Sequence, residues 1–99
     1  MKKALAISEL DNVATALEDI EPGESVLVKM PEGEREIRVR ARIPFGHKLS
    51  IKRVPKGGEV VKYGEVIGKA TRDIEIGEWV HVHNVESLRG RGDLFRKEG

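Results

Sequence analysis

The chain has 99 residues, about one domain, so it can bury a modest core but has little surplus to wall off a deep cleft alone. Charged residues make up 35% of it and nearly cancel, leaving +1, which gives no electrostatic case for a nucleic acid or an anionic membrane as partner. Cysteine is absent, which excludes a disulfide framework and iron–sulfur ligation by this chain.

The N-terminal run Met1-Lys2-Lys3-Ala4-Leu5-Ala6-Ile7 is basic and then apolar. Its apolar part stops at Ser8-Glu9, too short for the core of a signal peptide, and Ala4 to Ile7 reads as a strand. No stretch approaches the length that crosses a bilayer, so a soluble, cytoplasmic protein is expected. In Asp11-Asn12-Val13-Ala14-Thr15-Ala16-Leu17, Asp11 or Asn12 can cap, the alanines and leucine favour a helix, and Pro22-Gly23 stops it. One short N-terminal helix is therefore predicted, too short to stand without tertiary packing.

After residue 20 the pattern is β. Ser25 to Met30 is a predicted strand and Pro31-Glu32-Gly33 a turn. Glu36 to Arg42 alternates, with arginines on one face and apolar residues on the other, as in a half-buried strand with a solvated basic face. A short device recurs at Ile20-Glu-Pro-Gly23, Ile43-Pro-Phe-Gly46, Val54-Pro-Lys-Gly57 and Ile74-Glu-Ile-Gly77. Each copy is a β-branched residue, two others and a glycine, then polar residues leading into a strand, which predicts repeated tight turns and a pseudo-symmetric fold. Irregular spacing between copies excludes a solenoid. Glutamine is absent and asparagine occurs only at Asn12 and Asn84, a composition that fits a hot environment. The tail from Glu86 to Gly99 loses the pattern and reads as an arm, partner-facing or flexible, whose Arg91-Gly92-Asp93 carries no meaning in a protein that is not exported.

Two of the three histidines lie in Trp79-Val80-His81-Val82-His83-Asn84, predicted as one strand. Alternation there places Val80 and Val82 toward a core and Trp79, His81 and His83 on the opposite face. Imidazole is the side chain suited to proton transfer or metal binding near neutral pH, so His81 and His83 read as half of a site. The third, His47, follows Gly46 in a turn.

The segments Asp11 to Leu17, Ile43 to Lys48, Lys62 to Ile74 and Gly77 to Asn84 resemble, in that order, the SAF module of the altronate and galactarate dehydratase family. The small subunit of sulfolactate sulfo-lyase is similar. The resemblance implies a mostly β fold of the β-clip type with short twisted strands, taken here as residues 1–85 followed by the arm at 86–99. It implies a hydro-lyase acting on a sugar acid by β-elimination of water, dependent on a divalent metal such as iron or manganese held mainly by a partner. In many members the module precedes a much larger catalytic region. A chain of this size is thus expected to be a small subunit that is inactive without a large one.

On that reading His47, His81 and His83 are the catalytic candidates. His81 and His83 are also candidate metal ligands, two being too few to close a site. Lys48 would neutralise the substrate carboxylate, Tyr63 donate to an alkoxide, Arg72 bind carboxylate or hydroxyl, and Asn84 orient a histidine or bind a hydroxyl. Trp79 would wall the site or anchor a partner. Two other readings compete. One is a non-catalytic module that binds carbohydrate or protein, which would not need imidazoles placed in this way. The other is a self-assembling homo-oligomer.

Overall fold

A computed structural model describes residues 1–88. They form nine strands: β1 (Lys2–Leu5), β2 (Val13–Ala16), β3 (Ser25–Met30), β4 (Gly33–Arg38), β5 (Lys48–Ser50), β6 (Glu59–Lys62), β7 (Glu65–Ala70), β8 (Trp79–Val80) and β9 (Val85–Ser87). A six-stranded sheet runs β4-β3-β1-β2-β5-β8, and a three-stranded sheet runs β6-β7-β9. Only β1 and β3 pair in parallel; the other pairs are antiparallel.

The predicted N-terminal helix is not there. Val13–Ala16 is β2, between β1 and β5, and the described residues contain no helix. The physical reason is that a few alanines confer only a few tenths to about 1 kcal/mol of helical preference. Pairing β2 on both edges satisfies the backbone and buries Val13, Ala14 and Ala16. Asp11 and Asn12 do not cap a helix but hold the two sheets together. The buried Asp11 carboxylate accepts from the N–H of Ile7 and Ser8 at 3.0 Å each and of Gly64, at the β6–β7 tip, at 2.8 Å. Asn12 docks β6 as a strand would: its Oδ1 accepts from Val61 N–H and its Nδ2 donates to Glu59 O, both at 2.8 Å.

The β-rich expectation holds elsewhere, but the strand predicted over Glu36 to Arg42 is β4, which ends at Arg38 and leaves Val39 to Arg42 outside it. β3 spans the predicted residues, and Pro31-Glu32 links it to β4. The recurring device forms four tight turns that pair two by two. Ile20 bridges to Ile43 and Val54 to Ile74, and all four side chains are buried. Each turn closes by a backbone bond to the residue after its glycine, as from Glu24 N–H to Glu21 O and from Glu78 N–H to Glu75 O. Its glycine has φ between +82 and +90°, a region that favours glycine. The pairs even share chemistry: Asp19 accepts from Phe45 N–H, and Asp73 from Lys56 N–H, at 2.8 Å each.

Two apolar clusters result. The larger joins β1 to β5 through Val26, Val28, Ile37 and Leu49, with Trp79 against it; the smaller holds Val13, Val60, Ile74 and Val80 beneath the three-stranded sheet. The proposed boundary after residue 85 falls inside β9, which pairs Val85, Glu86 and Ser87 with β7. The rest of the arm, Arg91-Gly92-Asp93 included, lies outside the described residues.

Candidate functional site

The site lies where β5 and β8 meet the β6–β7 hairpin. The turn Pro44–His47 delivers His47 directly before β5, whose Lys48 pairs with Val80 and whose Leu49 pairs with Trp79. Val82 corrects the predicted strand: β8 ends at Val80, the chain turns over residues 81–84, and Val82 is 80% exposed. Strand parity therefore does not carry the histidines to one side. The turn does so by folding their rings back onto Trp79.

All three histidines gather around that indole. His81 stacks on it with centroids 4.9 Å apart and planes 13° apart, His83 lies at 5.0 Å, and His47 at 5.8 Å. His47 and His81 are 5.0 Å apart. The indole Nε1–H donates to His47 Nδ1 at 3.2 Å. With Nδ1 accepting, a neutral His47 carries its proton on Nε2. Burial lowers the His81 pKa, and His47, Lys48 and His83 lower it further, which favours its neutral form.

Asn84 builds the turn. Its buried amide donates from Nδ2 to Trp79 O and accepts at Oδ1 from His81 N–H, both at 2.9 Å. Both bonds go to backbone atoms, so Asn84 is a turn residue that ends the strand, and neither its imidazole-orienting nor its hydroxyl-binding use is seen in them.

His81 also lines a cleft of about 430 Å³ with Lys48, Lys62, Tyr63, Glu65 and an aliphatic wall that includes Ile67, Val80 and Val85. That volume suits a small organic ligand. Tyr63 sits at the two-residue tip between Lys62 and Glu65 with φ of 54°, an uncommon value for an aromatic residue. Its hydroxyl lies 3.4 Å from Thr15 Oγ1, and Lys62 Nζ lies 4.9 Å from its ring centroid. Burial, then Lys62, lowers the Lys48 pKa.

Of the predicted site residues, the fold brings together His47, Lys48, Tyr63, His81, His83 and Asn84. Arg72 is exposed in the turn after β7 and does not line the cleft. Sequence reasoning missed Lys62 and Glu65. The signal was there: Tyr63-Gly64 between two apolar-rich runs is a two-residue hairpin, whose flanking residues emerge side by side.

Among the described residues no three His, Cys, Asp or Glu side chains converge to hold a metal ion. The three imidazoles pack on an indole, and one nitrogen of His47 is already engaged, so the set does not fit a resident metal by itself.

Fold and site thus define a small domain, all β over the described residues, with a lysine-bearing cleft that His81 lines and a histidine cluster on Trp79 beside it. Residues 2–88 match the altronate/galactarate dehydratase SAF domain, and the chain belongs to that family. It is 39% identical over 87 residues to altronate dehydratase of Bacillus subtilis, covering 88% of this chain and 17% of that protein. It is 36% identical over 76 residues to galactarate dehydratase (L-threo-forming) of Escherichia coli, covering 77% and 14%. The match to (2R)-sulfolactate sulfo-lyase subunit alpha of Paracoccus pantotrophus is 38% over 63 residues, covering 64% of this chain and 94% of that subunit. The chain spans about a sixth of the dehydratases it matches.

Proposed function

We propose that this chain is the SAF module of a lyase that eliminates water from a 2,3-dihydroxy acid, with most of the catalytic body on another polypeptide. The observation that carries this reading is His81 on the lining of a cleft that also holds Lys48, with the His47 ring 5.0 Å from His81 and both rings against Trp79. Dehydratases among the relatives support the reaction class, and a relative called subunit alpha, matched over 94% of its length, supports a two-chain enzyme.

The elimination needs two proton transfers. A base takes the proton from the carbon next to the carboxylate; its electron pair forms the new C–C double bond as the 3-hydroxyl leaves, protonated to water by an acid. His81 suits the base, because burial first, and then the neighbouring His47, Lys48 and His83, lower its pKa and favour the unprotonated ring. His47, its Nδ1 accepting the indole bond, keeps Nε2–H to hydrogen-bond the leaving hydroxyl, and the acid that turns it into water comes from the partner. His83, more exposed, packs on Trp79 beside them. A divalent metal, iron or manganese, would draw its ligands mainly from the partner.

The test is an assay of the chain assembled with its large partner, captured from the native cell, against aldonic acids, aldaric acids and sulfolactate. Turnover by the assembly, none by the chain alone, and loss in His81→Ala are expected. Unchanged turnover in both His47→Ala and His81→Ala would remove the chain from the chemistry and favour a binding module.

A further inference from the structure

The cleft contains two lysines and, among the described residues, nothing that neutralises either. Lys48 is half-buried, and its ammonium makes no hydrogen bond or ion pair with a described residue. Lys62 interacts only with the ring of Tyr63. Three cations outside the cleft find carboxylates: Lys2 pairs with Glu24 at 2.8 Å, Arg42 with Asp19 and Glu21 at 3.6 and 3.4 Å, and Arg53 with Asp73 and Glu75 at 3.2 and 3.1 Å. Glu65, the one carboxylate lining the cleft, is exposed and is bonded to neither lysine.

A half-buried ammonium with a second one beside it is unfavourable in an empty cleft. Yet the fold holds both in place. Lys48 pairs with Thr15 on one side and with Val80 of the edge strand β8 on the other. Tyr63 carries Lys62 on its face and rests against Thr15, next to Lys48, while Asp11 pins the hairpin tip through Gly64. The wall behind the lysines is aliphatic, which strengthens any charge pairing made there.

We propose that Lys48 and Lys62 form a two-point seat for the acid head, carboxylate or sulfonate, of a small hydroxy acid, with Ile67, Val80 and Val85 along its carbon chain. This rests on reading the cleft as the substrate's and deepens it, by assigning the acid head to this chain and adding Lys62 to the binding residues. His81, on the same lining, then faces the carbon next to that head.

The experiment titrates the isolated chain with sodium acetate, with sodium methanesulfonate and with neutral glycerol, at ionic strength held constant with chloride. NMR follows the His81 ring and the Lys48 side chain. Saturable shifts with either anion, none with glycerol, and a rise in the Lys48 pKa as the anion binds are expected. The tighter of the two anions identifies the head. Lys48→Met should abolish saturation and Lys62→Met weaken it about tenfold or more, with Arg72→Met unchanged. Should Lys48→Met fail to fold, the Lys48 titration in the parent chain decides alone. Non-saturating shifts, or a Lys48 pKa indifferent to both anions, overturn the seat. Saturable binding with undiminished turnover of the assembled Lys48→Met enzyme would keep the seat and remove the cleft from the reaction.

Discussion

Replacing Asp11 with Asn should unlatch the two sheets from each other. The carboxylate is 1% exposed and accepts three backbone N–H bonds, from Ile7, Ser8 and Gly64. An amide keeps one acceptor oxygen but turns its NH2 toward a backbone donor. Bonds to a charged acceptor contribute about 1.5–3 kcal/mol each, and a buried donor left unpaired adds its own desolvation. Because the three share one group they do not add fully, and the expected loss is about 3–4 kcal/mol. A domain of this length has about 5–15 kcal/mol in total, so the variant should fold with an obviously lower urea midpoint. The acid limb of stability is the second readout. Burial by itself raises the Asp11 pKa, but the N–H groups of Ser8, Gly64, Ile7 and Tyr63 outweigh it, and the net is a lowered value. A lowered folded-state pKa means that the contribution is complete above the unfolded aspartate value and disappears as pH falls through the folded one. The parent should therefore lose stability in that acid window, and Asp11→Asn should lose less there. Urea unfolding at neutral and acid pH measures both. A variant within about 0.5 kcal/mol of the parent, with the same acid limb, would refute the latch.

Other outcomes follow from the same geometry. Gly77→Ala should destabilise the fold by about 2–4 kcal/mol in the same assay, because φ is +90° and a Cβ would sit 2.5 Å from Arg38 O. Asn84→Ala should cost about 2–3 kcal/mol and shift the emission of Trp79, the only tryptophan, because two buried backbone groups lose their partner. Trp79→Phe keeps an aromatic platform but deletes the donor to His47. NMR should show His47 Nδ1 without its indole partner, and turnover of the assembled enzyme should fall by about tenfold or more. The activity of the assembly should fall on acidification along a limb below the ordinary imidazole range, as His81 takes up a proton, and His81→Gln should erase that limb together with most of the turnover.

The four-fold turn device was readable in the residues because Ile20, Ile43, Val54 and Ile74 each stand three positions before a glycine that a tight turn needs. So was the span of β3. The grouping of His47, Lys48, Tyr63 and His81 was expected from family likeness rather than from periodicity, and the fold sets Lys48, Tyr63 and His81 along one cleft with the His47 ring beside His81. Spacing alone misled at Asp11–Leu17 and at Val82. Local preference in a seven-residue run is weaker than pairing on two edges, and strand parity ends wherever the strand does. Composition and local pattern thus settled that the chain is rich in strands and turns, because those depend on each residue and its near neighbours. The convergence of Lys48 with Lys62, and of His47 with Trp79 and His81, joins residues 14 to 34 positions apart. Such contacts depend on how β5, β8 and the β6–β7 hairpin stack in space, which only the folded chain decides.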